Sequence, residues 1–208
     1  MTQPIIFYTN PMSRGRVVRW MLEELGVPYD ARIVAFGPEM KSPDYLAINP
    51  MGKIPAIDHN GKIVTEAAAI CAYLADAFPD AKLAPPADDP ARGDYYRWLF
   101  FAAGPMEYAI SNRAFGFEVP KDREVSMGYG SYGAILNTLD GALAKTEYLA
   151  GGRFSAADLF LSANLGFTML MGAVEKRSSF EAYVKRLQAR PAFRRAQQID
   201  NDLMPKQG

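Results

Sequence analysis

Asn49-Pro50-Met51-Gly52-Lys53-Ile54-Pro55-Ala56, followed closely by Thr65-Glu66-Ala67-Ala68-Ala69-Ile70, is the stretch whose reading decides the fold. Proline lacks an amide donor and glycine loses conformational entropy in any regular element, so Pro50, Gly52 and Pro55 forbid a helix here. Strand-like Ile54, Ala56 and Ile57 adjoin the string, which makes it an ordered turn rather than a linker. A proline at a strand entrance is the usual setting for a cis bond, at a cost of only about 0.5 to 1 kcal/mol. Such a bond before Pro55 turns the amide and carbonyl of Ile54 outward, toward a ligand. Taken alone, the string also fits a plain surface turn framed by the two prolines. The flanking elements have to separate these readings.

Downstream, residues 54–58 and 62–64 read as strands joined at Asn60-Gly61, a hairpin turn that makes them antiparallel, and a helix spans 66–78. Upstream, residues 5–9 form a short apolar strand ending at Asn10-Pro11. From Ser13 the period changes: Val17, Val18, Met21, Leu22 and Leu25 recur at helical spacing, and Gly26 stops the helix. Residues 29–34 give a second strand, which completes a right-handed βαβ unit, and a short helix covers 39–47. The sum is βαβ followed by ββα, a mixed four-stranded sheet with helices, complete by residue 80.

Residues 81–90 contain Pro85, Pro86, Asp88, Asp89 and Pro90, the composition of a linker. Beyond it no strand pattern recurs. Trp98, Phe101, Tyr108 and Phe115 keep an approximate helical period, kinked where Pro105 cannot donate to residue 101. Further helices are expected over 127–147, 156–168, 179–189 and 192–201. The domains are therefore 1–80, a linker over 81–90, and an all-helical 91–208. Ser155-Ala156-Ala157-Asp158 has the spacing of a capping box, worth about 1 kcal/mol to folding.

Composition narrows the chemistry. Lysine plus arginine and aspartate plus glutamate both number 23, so charge suggests neither a nucleic-acid partner nor an anionic membrane. No apolar run reaches the ~20 residues of a membrane span, and the N-terminus lacks a leader pattern, which points to the cytoplasm. Cys71 is the only cysteine and sits in an apolar helical pattern, so it reads as a small core hydrophobe. His59 is the only histidine and reads as a solvated turn residue. A Ser-His-Asp hydrolase and a cysteine- or histidine-rich metal centre are both disfavoured, and no metal is expected.

The βαβ-ββα order, the N-P-x-G-K-I-P-A turn, the Thr65-Glu66 opening of the third helix and the helical second half together resemble glutathione transferases across nearly the whole chain. Phe7-Tyr8-Thr9-Asn10-Pro11-Met12-Ser13-Arg14-Gly15-Arg16, followed by Trp20-Met21-Leu22-Glu23-Glu24-Leu25-Gly26, looks like the signature of bacterial members. The resemblance implies a thioredoxin-like N-terminal domain, a C-terminal helical bundle, glutathione as co-substrate, a small apolar electrophile and a cytosolic homodimer. It maps the cysteinyl peptide contact onto Ile54 beside Pro55, and the γ-glutamyl end onto Glu66 and Ala67. Lys53 and Lys41 are left to meet the glycyl carboxylate. Ala67 stands where the family usually has serine, so one hydroxyl contact is missing.

The thiol must ionise to attack. Bringing a pKa of about 8.5 down to 7 needs about 2 kcal/mol, which one hydroxyl donating to the thiolate can supply at roughly 1.5 to 3 kcal/mol. Pro11-Met12-Ser13 matches the family's serine form, although Ser13 also reads as a simple helix cap. Tyr8 and Asn10 are rival donors. Tyr108, Asn112 and Phe115 share one helical stripe, and with Met12 they are the candidate electrophile pocket. Two other readings stay open: a non-catalytic glutathione- or ligand-binding stress protein of this fold, and a glutathione-dependent disulfide reductase.

Overall fold

The structure, a computed structural model, describes residues 4–204; the outermost residues of the two expected domains, 1–3 and 205–208, lie outside the described residues. Strand β1 (Ile5–Thr9) pairs in parallel with β2 (Tyr29–Ile33) and antiparallel with β3 (Ala56–His59), which pairs antiparallel with β4 (Lys62–Thr65). The order β2-β1-β3-β4 is the mixed four-stranded sheet expected from the sequence. Helix α1 (Gly15–Leu25) joins β1 to β2, α2 (Pro43–Ile48) precedes the proline turn, and α3 (Ala67–Ala77) follows β4. Both faces of the sheet are covered. Phe7 is buried toward Arg19 and Tyr29, while Tyr8, one residue on and therefore on the opposite face, packs with Val34, Met40 and Tyr45.

Several boundaries differ from the sequence reading for local reasons. Helix α1 begins at Gly15 rather than Ser13, because the Ser13 side chain is taken up in the preceding turn. It ends as expected at Gly26, whose φ of 64° lets its amide return to the Leu22 carbonyl at 3.0 Å. Strand β3 starts after Pro55, which has no amide to give the ladder. Glu66 has φ 66° and ψ 116°, outside the helical region, so α3 starts one residue later than expected. His59 ends β3 with its ring stacked on Phe78 and its Nδ1 2.9 Å from the Tyr73 hydroxyl; the reading of a solvated turn residue is corrected.

A second compact unit runs from Lys82 to Gln188. It contains α4 (Ala91–Phe101), a wide π turn at Ala102–Met106 that absorbs Pro105, α5 (Glu107–Ala114), α6 (Tyr132–Leu143), α7 (Ala156–Leu170) and α8 (Ser178–Gln188). The kink at Pro105 is thus a local widening of the helix. Helix α6 is shorter than the expected 127–147, because Gly128 and Gly130 precede an N-cap at Ser131, whose side chain accepts from Ala134 N. Nor is the proline-rich stretch a free tether: Leu83 is buried, and its carbonyl accepts from Ala156 N at 2.7 Å. Helix α7 lies between α4 and α8. At its start the fully buried Asp158 accepts from Ser155 N and Oγ, Leu149 N and the Tyr183 hydroxyl, at 2.8 to 3.0 Å. Burial still holds its carboxyl above the usual range.

The residues from Ala189 onward, expected with the helical half, form one compact unit with those up to Ala81. Helix α9 (Pro191–Asp202) packs on α1 through charge and aromatic contacts. Arg19 and Asp200 form an ion pair at 2.8 Å, both side chains nearly inaccessible, and Arg190 grips Glu24 with two hydrogen bonds of 2.7 and 2.8 Å. The Trp20 and Phe193 rings meet edge-on at 4.8 Å. Removing one partner of a buried ion pair leaves the other charge uncompensated. Asp200→Ala is therefore expected to lower the unfolding free energy by about 3 to 5 kcal/mol in urea titration, while the double change Arg19→Met with Asp200→Leu recovers most of that loss.

Candidate functional site

The sheet register brings three distant pieces of chain to one edge. Tyr8 is opposite Ala56, and Ala56 is opposite Thr65, so these three form one row across β1, β3 and β4. The next residues outward are Thr9, Pro55 and Glu66. Adjacent strands lie about 4.8 Å apart, so that row spans roughly 10 Å, the reach of an extended tripeptide.

Its middle is the proline turn, held from beneath. The Tyr45 hydroxyl and the Asn49 amide both donate to the Lys53 carbonyl, at 2.8 and 2.7 Å. Asn49 also accepts from the Met51 and Gly52 amides, at 3.1 and 2.7 Å. Gly52, with φ 56°, passes so close to helix-side atoms that a Cβ there would stand 2.5 Å from the Met40 carbonyl oxygen. The Ile54–Pro55 bond is cis. Among the described residues, neither backbone polar group of Ile54 has a partner. The Lys41 ammonium donates to the Met51 and Gly52 carbonyls, at 2.8 and 3.1 Å, so it tethers the turn. Lys53 is exposed and makes no ion pair among the described residues.

On one side of the row, Ser13 lies in the turn between β1 and α1. Its hydroxyl donates to the Asn10 carbonyl at 2.7 Å and accepts from the Gly15 amide at 2.9 Å. Asn10 is buried with both ends of its side chain used: Nδ2 donates to the Val34 carbonyl and Oδ1 accepts from the Met12 amide, each at 3.0 Å. That uses one of the two Nδ2 protons, and burial shields the side chain from a ligand. Tyr8 faces the Tyr45 ring, 6.0 Å between centroids. On the other side, Glu66 is exposed and held in the left-handed φ region, a conformation that costs a non-glycine residue of order 1 kcal/mol or more and recurs at ligand clamps. The first intrahelical bond of α3 runs from Ile70 N to the Glu66 carbonyl, so the amides of Ala67, Ala68 and Ala69 point out of the helix start. That end carries partial positive charge suited to a carboxylate.

The second unit has its own cavity of about 350 Å³, lined by Pro105, Tyr108, Asn112, Met127, Gly128 and Tyr129. Tyr108 and Asn112 line it as expected from the helical stripe. Phe115 does not: it follows the end of α5 and is 77% exposed, because the helix stops before its turn would bring it round. The Asn112 amide donates to the Tyr129 hydroxyl at 2.9 Å. Met12, in the first unit, is 54% exposed beside Ser13. Sequence reasoning missed Tyr45, Met127 and Tyr129. Tyr45 had a usable signal, standing one helical turn before Asn49; the loop residues had none.

Among the described residues, no cluster of histidine, cysteine and acidic side chains is placed to hold a metal, and no helix is long and apolar enough to cross a membrane.

A sheet of this order with this row, in a chain whose other half is helical, makes a thioredoxin-like domain joined to a helical domain. A family model described as the glutathione S-transferase N-terminal domain matches residues 12–77. Glutathione S-transferase 1 of Schizosaccharomyces pombe is 35% identical over 184 residues, 84% of this chain and 79% of the relative. Of solved structures, a glutathione transferase of Methylococcus capsulatus matches with a TM-score of 0.79 at 28% identity, over 95% of this chain and 98% of that one. A sphingomonad glutathione S-transferase complexed with glutathione matches at a TM-score of 0.76 and 26% identity, over 94% and 98%. The chain belongs to the glutathione S-transferase family.

Cys71 stands apart from this site, fully buried in α3, and burial pushes its thiol up to about 12. At pH 8 only about one molecule in ten thousand then carries the thiolate. Iodoacetamide at pH 8 is expected to leave Cys71 unmodified in the folded protein and to alkylate it fully in urea, as read by mass spectrometry.

Proposed function

We infer that the protein is a glutathione transferase that joins the glutathione thiolate to small apolar electrophiles. The observation that carries this reading is the row of strand ends of β1, β3 and β4, with an unpartnered Ile54 backbone at its centre and Glu66 at one side. An extended tripeptide matches its span. The Ile54 backbone pairs with the cysteinyl peptide beside Pro55. Glu66 takes the γ-glutamyl ammonium, and the Ala67 amide at the positive end of α3 takes the adjacent carboxylate. Lys53, whose ammonium is uncommitted among the described residues, meets the glycyl carboxylate. Lys41 contributes by holding the turn, with one of its three N–H donors still open toward the same carboxylate.

Ser13 stabilises the thiolate. Its proton, given to the Asn10 carbonyl in the free protein, turns to the sulfur when glutathione binds. A neutral hydrogen bond is thereby exchanged for one to an anion, which is roughly twice as strong. The Asn10 carbonyl is not abandoned, since the Ser13 amide also donates to it at 3.0 Å. The cavity beside Tyr108 and Asn112, at about 350 Å³ and walled largely by aromatic and thioether groups, is of a size for a small flat electrophile. The protein works as a cytosolic homodimer, as its family resemblance implies.

Ser13→Ala is expected to cut turnover of an activated aryl halide at least ten-fold and to raise the pKa of bound glutathione by about 1 to 2 pH units. The rising limb of the pH–rate profile then moves to higher pH, because more hydroxide is needed to form the same fraction of thiolate. Tyr8→Phe is expected to leave both within two-fold. A Ser13→Ala profile superimposable on the parent removes the serine from the mechanism, and tight glutathione binding with no turnover across electrophile classes makes the protein a binder instead.

A further inference from the structure

One hydroxyl at the site is unaccounted for. Thr9 is fully buried at the end of β1, and its Oγ1 has no hydrogen-bond partner. Leaving such a group unmade costs a folded protein about as much as a whole hydrogen bond contributes, so a use for it is to be sought nearby. The place is marked by Gly15. A Cβ built there would stand 1.9 Å from Thr9 Oγ1 and 2.9 Å from Ser13 Oγ. The two hydroxyls therefore lie close together, and the Thr9 hydroxyl takes up the room that a side chain at residue 15 would need.

The hydrogen-bonding capacity of Ser13 says what Thr9 is for. A serine hydroxyl has one proton to give and two lone pairs to receive. In the present arrangement the proton goes to the Asn10 carbonyl, one lone pair receives the Gly15 amide, and the second is open. We propose that Thr9 is a positioning residue: its buried hydroxyl donates to the open lone pair of Ser13 Oγ when the Ser13 proton turns from the Asn10 carbonyl to the glutathione sulfur. Ser13 is then fully bonded, with two donors into its oxygen and its own proton on the thiolate. Donation into an oxygen polarises its O–H, so the bond to sulfur strengthens. No proton changes owner, and no bond other than hydrogen bonds forms or breaks. Burial of Thr9 excludes water as the competing acceptor.

This rests on the serine reading above, and the experiment separates the two. The pKa of bound glutathione is read from the ultraviolet absorption of the thiolate for Thr9→Val and Thr9→Ser, each in the parent and in the Ser13→Ala background. S-Methylglutathione, which has no thiolate, reports binding alone. In the parent, Thr9→Val is expected to raise the bound pKa by about half a pH unit, about a two-fold loss of thiolate near neutrality, with kcat lowered and S-methylglutathione affinity unchanged. Thr9→Ser restores the parent values. In the Ser13→Ala background Thr9→Val adds nothing. Thr9→Ala supplies the same comparison if the valine variant does not fold. A Thr9→Val pKa equal to the parent's, beside a Ser13→Ala pKa that is raised, overturns the role of Thr9 and leaves the serine in place. An equal shift in both backgrounds also overturns it, and a Ser13→Ala variant with an unchanged pKa overturns both.

Discussion

The Lys53 carbonyl is the hinge point on which the candidate site depends. It receives two buried donors, Tyr45 Oη and Asn49 Nδ2, from beneath the turn. A trans peptide sets its C=O and N–H in opposite directions, so once that carbonyl is drawn inward the following amide, that of Ile54, has to face out. The outward-facing amide is thus fixed from the hidden side, by Tyr45 and Asn49. Burial pushes the Tyr45 hydroxyl up to about 12, so it remains a donor throughout the physiological range.

Among the described residues, a fully buried aspartate in each compact unit is held by different means, and Asp200 keeps one oxygen without a partner. In the first, Asp200 is paired with the Arg19 guanidinium, which also donates to the Tyr29 hydroxyl at 3.2 Å and lies 5.2 Å from the Phe7 ring centroid. In the second, Asp158 collects four neutral donors from α7, α8 and the loop before them. Neither arrangement is efficient as a source of stability, since each charge pays desolvation. What they supply is position. A hydrophobic contact tolerates sliding of one helix over another, whereas Arg19–Asp200 sets α9 at one register along α1, and Asp158 sets the start of α7 at one register against Tyr183.

The parts of this fold that were legible in the sequence are those where one residue type leaves the backbone little choice. Gly26 ends a helix, Asn60-Gly61 turns a hairpin, and the short apolar run from Ile5 to Thr9 makes a strand. Helices α1, α3 and α7 followed from spacing within a residue or two. What was not legible depends on contacts between segments far apart in the chain. The pattern of α9 gives an amphipathic helix but not the surface it meets, because its partners Arg19 and Glu24 lie more than 160 residues away. The conformation of Glu66 is likewise imposed from outside, for nothing in Thr65-Glu66-Ala67 favours a left-handed residue. The cavity wall from Met127 to Tyr129 lies in a loop, where no period exists to be read.

The burial of Cys71 and the setting of Ser13 bear on the same question, which is where thiol chemistry can occur. Both belong to the first unit, and both sit at or near the start of a helix that follows a strand. Yet the cysteine is inside α3, where desolvation disfavours its anion. Ser13 is partly accessible, beside a helix start whose amides favour negative charge. The protein thus offers no thiolate of its own where an anion would be stabilised, and offers a hydroxyl donor there instead. In the function proposed above, Ser13 lowers the pKa of a thiol brought to it, and the ligand rather than the protein supplies the nucleophile.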